Sequence, residues 1–284
     1  MDLNKIAKEI KEIISDYQSK NELSFIEDTH TYFIKNTKGE IVSNYPSVST
    51  VLKSFYKPFD AESTKSFKNC EGDKEKEKSL LKEWAYSGTY ASYMGSRVHF
   101  ILEEYLVSLY GSYKEVRRPI FECDEEQIKT GDNMVTAGKE FIELMHKRGA
   151  VLLDTEMVLG NAELGYTGQP DKVWLMLNEK NEIGIVVTDW KSNKPKNFEV
   201  QFYTKKMLTP FEKYHDTSLG HYYVQLPLYA KLLLKMLEGT KFENISLFGA
   251  VVVLLKKEGK FQEYKVPGEV VKKVIDMNVK DYLK

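Results

Sequence analysis

The 284-residue chain has little cysteine, almost no arginine and no long apolar run. Two cysteines, Cys70 and Cys123, cannot frame a disulfide-dense secreted fold, and they exclude all-thiolate zinc and four-cysteine iron–sulfur sites. Both read as reduced thiols of a cytoplasmic protein. No apolar stretch approaches the ~18 residues of a membrane span. The first segment, MDLNKIAKEIKEIISDYQSK, carries acids throughout and lacks an apolar h-region, so it reads as an amphipathic helix rather than a targeting peptide. Charge of one sign is not in excess either: 41 Lys and Arg against 42 Asp and Glu leave −1. That balance excludes a bulk basic coat for nucleic acid but not a local basic track beside an acidic site. Arginine stands only at 97, 117, 118 and 148, a bias attributed to genome composition.

Apolar periodicity gives the rest of the plan. After the first helix, Leu23 to Val42 reads as a small hairpin turning at Thr37-Lys38-Gly39. Pro46-Ser47-Val48-Ser49 opens a short helix, with Ser47 or Ser49 as its cap. Residues 61–84 read as Lys/Glu-rich helix broken near Gly72-Asp73, and 95–109 and 125–147 as two further helices. Strands follow over 151–159, 165–177 and 183–191, the last two joined as a hairpin. A Lys-rich connection spans 193–217. A helix over 217–237, strands over 246–255 and 261–266, and a helix after Pro267 complete the chain. The expected fold is α/β, with a helical N-terminal portion over residues 1–94 and a compact sheet region over 95–284.

The chemistry gathers at the central hairpin. Pro170-Asp171 begins one strand and Asp189-Trp190-Lys191 ends the next. Residues two apart on a strand share a face, so Asp189 and Lys191 point together and Trp190 points away. Antiparallel neighbours lie about 5 Å apart, which sets Asp171 beside Asp189. Two carboxylates so close repel, and a hard divalent cation relieves this by taking both as oxygen ligands. An ammonium two residues on can steady water or developing phosphate charge. Acid-x-Lys also occurs at Glu9–Lys11, Glu258–Lys260 and Glu263–Lys265, where a surface ion pair is the ordinary reading. Asp189 differs in following the buried run Ile185-Val186-Val187. On the 95–109 helix, His99 and Glu103 share a face. Unaided, His99 reads more readily as a core histidine bonded to a backbone carbonyl than as a ligand. Gln225 and Tyr229 repeat the one-turn spacing around Pro227, which also fits a plain amphipathic helix.

In order, GSRVHFILE (95–103), GQPD (168–171), DWK (189–191) and QLPLY (225–229) resemble the RecB-like branch of the PD-(D/E)XK nuclease superfamily. The likeness is closest to phage and mitochondrial genome-maintenance exonucleases, and YPSVSTVL…PFD (45–60) resembles the segment that precedes their core. It implies a restriction-endonuclease-like mixed central sheet flanked by helices. It implies His99, Asp171 and Asp189 as metal ligands with the Trp190 carbonyl as a further one. Lys191 matches the catalytic lysine, and Gln225 and Tyr229 match the substrate-binding motif. Glu156 fits a second metal or a structural partner as readily as it fits a solvent-facing strand acid, and whether Glu156 or Glu103 takes part at the metal is open. The iron–sulfur subgroup is disfavoured by the missing cysteines.

The expectation is a Mg²⁺- or Mn²⁺-dependent DNA exonuclease of repair, recombination or genome processing. Its partner is single-stranded or end-containing DNA, with no membrane, and a recombination or replication protein is compatible with it. Lysines in 53–82 and 194–213 are candidates for backbone contacts or ordinary solvated residues. The alternatives are a structure-specific endonuclease on the same core and a catalytically silent DNA-end-binding protein.

Overall fold

The structure, a computed structural model, describes residues 2–62, 64–110, 124–192, 198 and 204–283. Cys123, Arg117, Arg118 and most of the Lys-rich stretch 193–203 lie outside the described residues. Helix α1 (Leu3–Lys20) buries Leu3, Ala7, Ile10 and Ile14, and Asp2 caps it by accepting from the Asn4 and Lys5 amides. Strands β1 (Ser24–Ile26), β2 (Thr31–Lys35) and β3 (Ile41–Val42) form a small antiparallel sheet. It has one strand more than the expected hairpin, because the chain also turns before β2, with His30 at φ 50°. Helix α2 (Val48–Leu52) is capped by Ser47 and runs on as a 3₁₀ turn to Phe55.

After the short α3 (Lys65–Lys68), the expected break comes at Gly72, at φ 89°. The expected separation of a helix ending at 84 from one starting at 95 does not occur. A single helix, α4 (Lys74–Tyr110), spans both. It holds two glycines, Gly88 and Gly95, and no proline, and a single glycine costs a helix only ~1 kcal/mol. The 94/95 boundary therefore falls inside α4, which buries residues only from Met94 onward: Met94, Val98, Leu102 and Leu106. Helix α5 (Glu125–Lys147) starts in a capping box between Asp124 and Gln127. It packs closely on α4, since a Cβ at Gly138 would stand 2.4 Å from Leu102 Cδ1.

The strands that follow are shorter than the apolar pattern suggested. The first splits into β4 (Val151–Thr155) and β5 (Leu159–Asn161), with Glu156 between them at φ 45°. The second splits into β6 (Tyr166–Gly168) and β7 (Lys172–Leu177). Pro170 lies in that gap and has no N–H for a ladder. β5 and β6 pair with each other as a separate ribbon. β8 (Ile183–Lys191), α6 (Ser218–Leu237), β9 (Ser246–Leu255), β10 (Phe261–Lys265) and α7 (Gly268–Asp276) match their expected places.

The main sheet is mixed, in the order β10-β9-β8-β7-β4, with β8 and β9 parallel and the other pairs antiparallel. A parallel pair requires a crossover, and the chain from β8 to β9 passes through α6. Both faces are covered. Val173, Leu175, Ile185, Val187, Val252 and Leu254 pack with α1, α2, α6 and α7. Trp174, Val186, Trp190, Val251 and Val253 pack with α4 and α5. Burial on both faces explains why β8 and β9 read as near-continuous apolar runs. The protein is thus α/β, a mixed five-stranded sheet flanked by helices, with a helical N-terminal region. Among the described residues no helix is long and apolar enough to cross a membrane. Cys70 is a free thiol.

Candidate metal centre

The site lies where β8 ends beside the β6–β7 break. Lys172 pairs with Thr188, so continuing the register one step sets Asp171 opposite Asp189, as the hairpin predicts. Alternation along β8 sends Asp189 and Lys191 to the α6 face and Trp190 to the α4 face. Two contacts agree: Lys191 Nζ stands 4.6 Å from the Tyr222 ring centroid of α6, and the Trp190 ring meets His99 of α4 edge-on at 6.2 Å. Gly95, one turn before His99, lets α4 close on the strand end, where a Cβ would stand 3.2 Å from Ser192 Oγ.

The peptide of Trp190 orients two groups. Its N–H donates to Asp171 Oδ2 at 3.0 Å, and its carbonyl oxygen lies 3.0 Å from His99 Nε2. A carbonyl only accepts, so the His99 proton sits on Nε2 and the Nδ1 lone pair is left facing Asp171 Oδ2 at 3.6 Å. The carbonyl bond expected of a core histidine is present, and it is also the bond by which a ligating histidine is commonly oriented. The carbonyl expected as a metal ligand is engaged by this histidine. His99, Glu156 and Asp171 each offer one ligand atom, all within 4.8 Å of one another.

Glu156 earns its place by the strand break. Its N–H donates to the Asp171 carbonyl at 3.0 Å, and its own carbonyl accepts from Gln169 Nε2 at 2.9 Å. Asp189 is not one of the three, His99, Glu156 and Asp171: its Oδ2 forms a 2.6 Å ion pair with Lys191 Nζ. Glu103 accepts from Thr155 Oγ1 at 3.3 Å on β4. Gln225 Nε2 donates to Tyr229 Oη at 2.9 Å.

Burial would raise the Asp171 carboxyl, but His99, Lys172, Lys191 and the Trp190 amide outweigh it and hold it below the ordinary range. Burial and the Asp171 charge push Asp189 up, against the pull of Lys191. Burial would lower Lys191, yet Asp189 and Asp171 keep it firmly protonated. His99 has 31 % of its side-chain surface open. Even so, burial holds it below its ordinary value, opposed by Asp171 and aided by Lys172 and Lys191. Burial also keeps the Tyr229 phenol protonated, with the Asp189 charge adding to it.

Beside Glu156 and Tyr229 opens a recess of about 250 Å³, lined also by His30, Ser47, Ser49 and Gln169. Gly168 of GQPD forms its floor, where a Cβ would stand 2.7 Å from both Tyr229 Cε1 and Val48 Cγ2. Of the lysines proposed as DNA contacts, Lys76 pairs with Asp73 and Lys213 with Glu269.

Sequence reasoning missed Lys172. It opens β7, is 2 % exposed, and holds Nζ 3.6 Å from the Trp190 ring centroid. A lysine inside the otherwise apolar run KVWLML is the signal that marked it. Comparison with protein-family models gives no match, and comparison with curated proteins gives none.

Proposed function

We propose that the protein is a divalent-metal-dependent deoxyribonuclease on a restriction-endonuclease-like core, acting on strand ends. One observation carries the reading. One ligand atom each of His99, Asp171 and Glu156 lie within 4.8 Å of one another, and His99 Nδ1 faces Asp171 Oδ2 at 3.6 Å. A cation can hold such acceptors together, and this donor set suits Mg²⁺ or, with its imidazole, Mn²⁺. Such an ion supplies Lewis-acid polarisation of a phosphate oxygen and a more acidic water.

The chain's own residues do the rest. The Trp190 peptide fixes His99 and Asp171, so neither must reorganise when substrate arrives. Lys191, held protonated, serves as a donor to developing phosphate charge and not as a base. Tyr229 stays a neutral phenol, held by Gln225, and can donate to a phosphate oxygen. The recess beside Glu156 and Tyr229 opens next to these groups and is a place for part of the substrate.

The test is a time course on 5′- and 3′-labelled linear DNA and on closed circles, with Mg²⁺, Mn²⁺ or chelator. Linear DNA is degraded with either metal, circles stay intact, and chelator or Lys191→Ala stops the reaction. Nicked circles would identify the endonuclease instead, and binding of ends without cleavage would identify a silent end-binding protein.

A further inference from the structure

Lys172 is the charged residue near the site that the strand itself does not call for. It shares the α4 face with Trp174, is almost fully buried, and begins a strand whose other inward residues are apolar. Leucine or methionine would serve the packing. Burying an ammonium is costly unless a carboxylate or hydrogen-bond partners compensate. Among the described residues no ion pair of Lys172 occurs, and its close contact is the face of the Trp190 indole at 3.6 Å. A cation–π contact offsets part of that cost and no more.

The position gives the charge a use. Lys172 follows Asp171 directly, and the ring beneath its ammonium belongs to the residue whose peptide holds Asp171 and His99. Its field acts on His99, Asp171 and Asp189 alike. A fixed positive charge there repels any cation brought to those acceptors, while it attracts phosphate.

We propose that Lys172 is a built-in counter-charge that weakens divalent-cation binding at His99, Glu156 and Asp171, so that the cation is held tightly only together with a substrate phosphate. This rests on the metal-site reading above. In free protein the lysine partly neutralises the carboxylates and keeps the charged site tolerable within the fold. When DNA arrives, its phosphate adds negative charge and the lysine no longer opposes the cation. Metal and DNA then strengthen each other's binding, and the coupling is the same in both directions.

The experiment is calorimetric titration of the full chain with Mn²⁺, alone and with a phosphorothioate-protected oligonucleotide. Lys172→Met removes the charge at similar length, and Lys172→Arg keeps it. Lys172→Met is expected to bind Mn²⁺ alone about tenfold tighter than wild type, about 1.4 kcal/mol, and Lys172→Arg within about threefold of wild type. In wild type the oligonucleotide is expected to tighten Mn²⁺ by about tenfold, a gain that shrinks in Lys172→Met. Equal or weaker Mn²⁺ binding by Lys172→Met overturns the inference. Should that variant not fold, unchanged Mn²⁺ affinity of wild type with and without oligonucleotide overturns it equally. If wild type takes up no Mn²⁺ even with the oligonucleotide, or Asp171→Asn takes it up as tightly as wild type, the metal-site reading itself fails, and the counter-charge with it.

Discussion

The Trp190 N–H donates to Asp171 Oδ2 at 3.0 Å, so the backbone of one strand end positions the carboxylate of its neighbour. The carbonyl of the same residue faces His99 Nε2 at the same distance. Both contacts are made by main chain, and that main chain is fixed by pairing with Val253 on β9. The orientation of two site residues is therefore inherited from sheet register. Loops, which vary and move more readily, are not asked to set it.

Gly168→Ala tests how close the packing behind the recess is. The added methyl would meet Tyr229 and Val48 at 2.7 Å, from a side chain and a helix that are both buried. Overpacking of this kind costs about 1–3 kcal/mol, read as a fall in urea midpoint. Nuclease activity falls further than stability does, because Tyr229 must move. Gly88→Ala is the control: nothing lies within 4 Å of that position on α4, and the helix gains up to ~1 kcal/mol. A Gly168→Ala protein as stable and active as wild type would remove Tyr229 from the site.

Much of this arrangement was legible in the residues themselves. The run Ile185-Val186-Val187 marked a strand buried on both faces, and its period of two separated Asp189 and Lys191 from Trp190. The hairpin joining 165–177 to 183–191 then set Asp171 opposite Asp189. Glu156 was harder to place, because Val151 to Leu159 reads as one strand with apolar ends and the polar Asp154-Thr155-Glu156 in its middle. Its turn depends on a positive φ at a non-glycine residue, which no local preference announces. The length of α4 was hidden for a different reason. Residues 74–93 are mostly exposed, so they carry no core-facing period to join them to the helix that follows. Lys172 was passed over because a buried ammonium is justified by its surroundings, and those come from β8 and α4.

The Lys191–Asp189 pair yields a double-mutant cycle. Asp189 is nearly fully buried, and Lys191 Nζ stands 2.6 Å away. Lys191→Met strands a buried carboxylate, and Asp189→Asn strands the ammonium, so each single change destabilises the fold. Changed together, they cost less than the sum, with a coupling of about 1–3 kcal/mol by urea denaturation. Activity behaves otherwise: all three variants lose at least about a hundredfold, because Lys191 is lost or misplaced in each. Additive stability losses would mean that the two side chains do not pair in solution.

His99 gives the pH dependence, and its sign follows from burial. Its folded value lies below the ~6.5 of an exposed histidine. As pH falls below about 6.5 the unfolded chain takes up the proton first, so the unfolded state binds more protons and the fold loses stability. Above about 6.5 both states hold a neutral imidazole, and this contribution is complete and flat. Asp171 acts in the same direction but lower, because its carboxyl is held below the ~3.9 of an unfolded aspartate. Its loss begins only as pH falls through about 4, so the two windows separate. Asp189, whose carboxyl is pushed up to about 7, adds a contribution of opposite sign between about pH 4 and 7 to both proteins, so the difference between the urea midpoints of wild type and His99→Gln at pH 5, 6, 7 and 8 reads the histidine. Relative to His99→Gln, wild type should lose stability from pH 7 to pH 5, and the two should run parallel from pH 7 to pH 8. Thermal stabilisation by Mn²⁺ should fade over the same acid range in wild type, because a proton on Nδ1 takes the lone pair that faces Asp171. Parallel midpoint curves down to pH 5 would mean that His99 is not held neutral by its surroundings, and its assignment as a ligand would go with that.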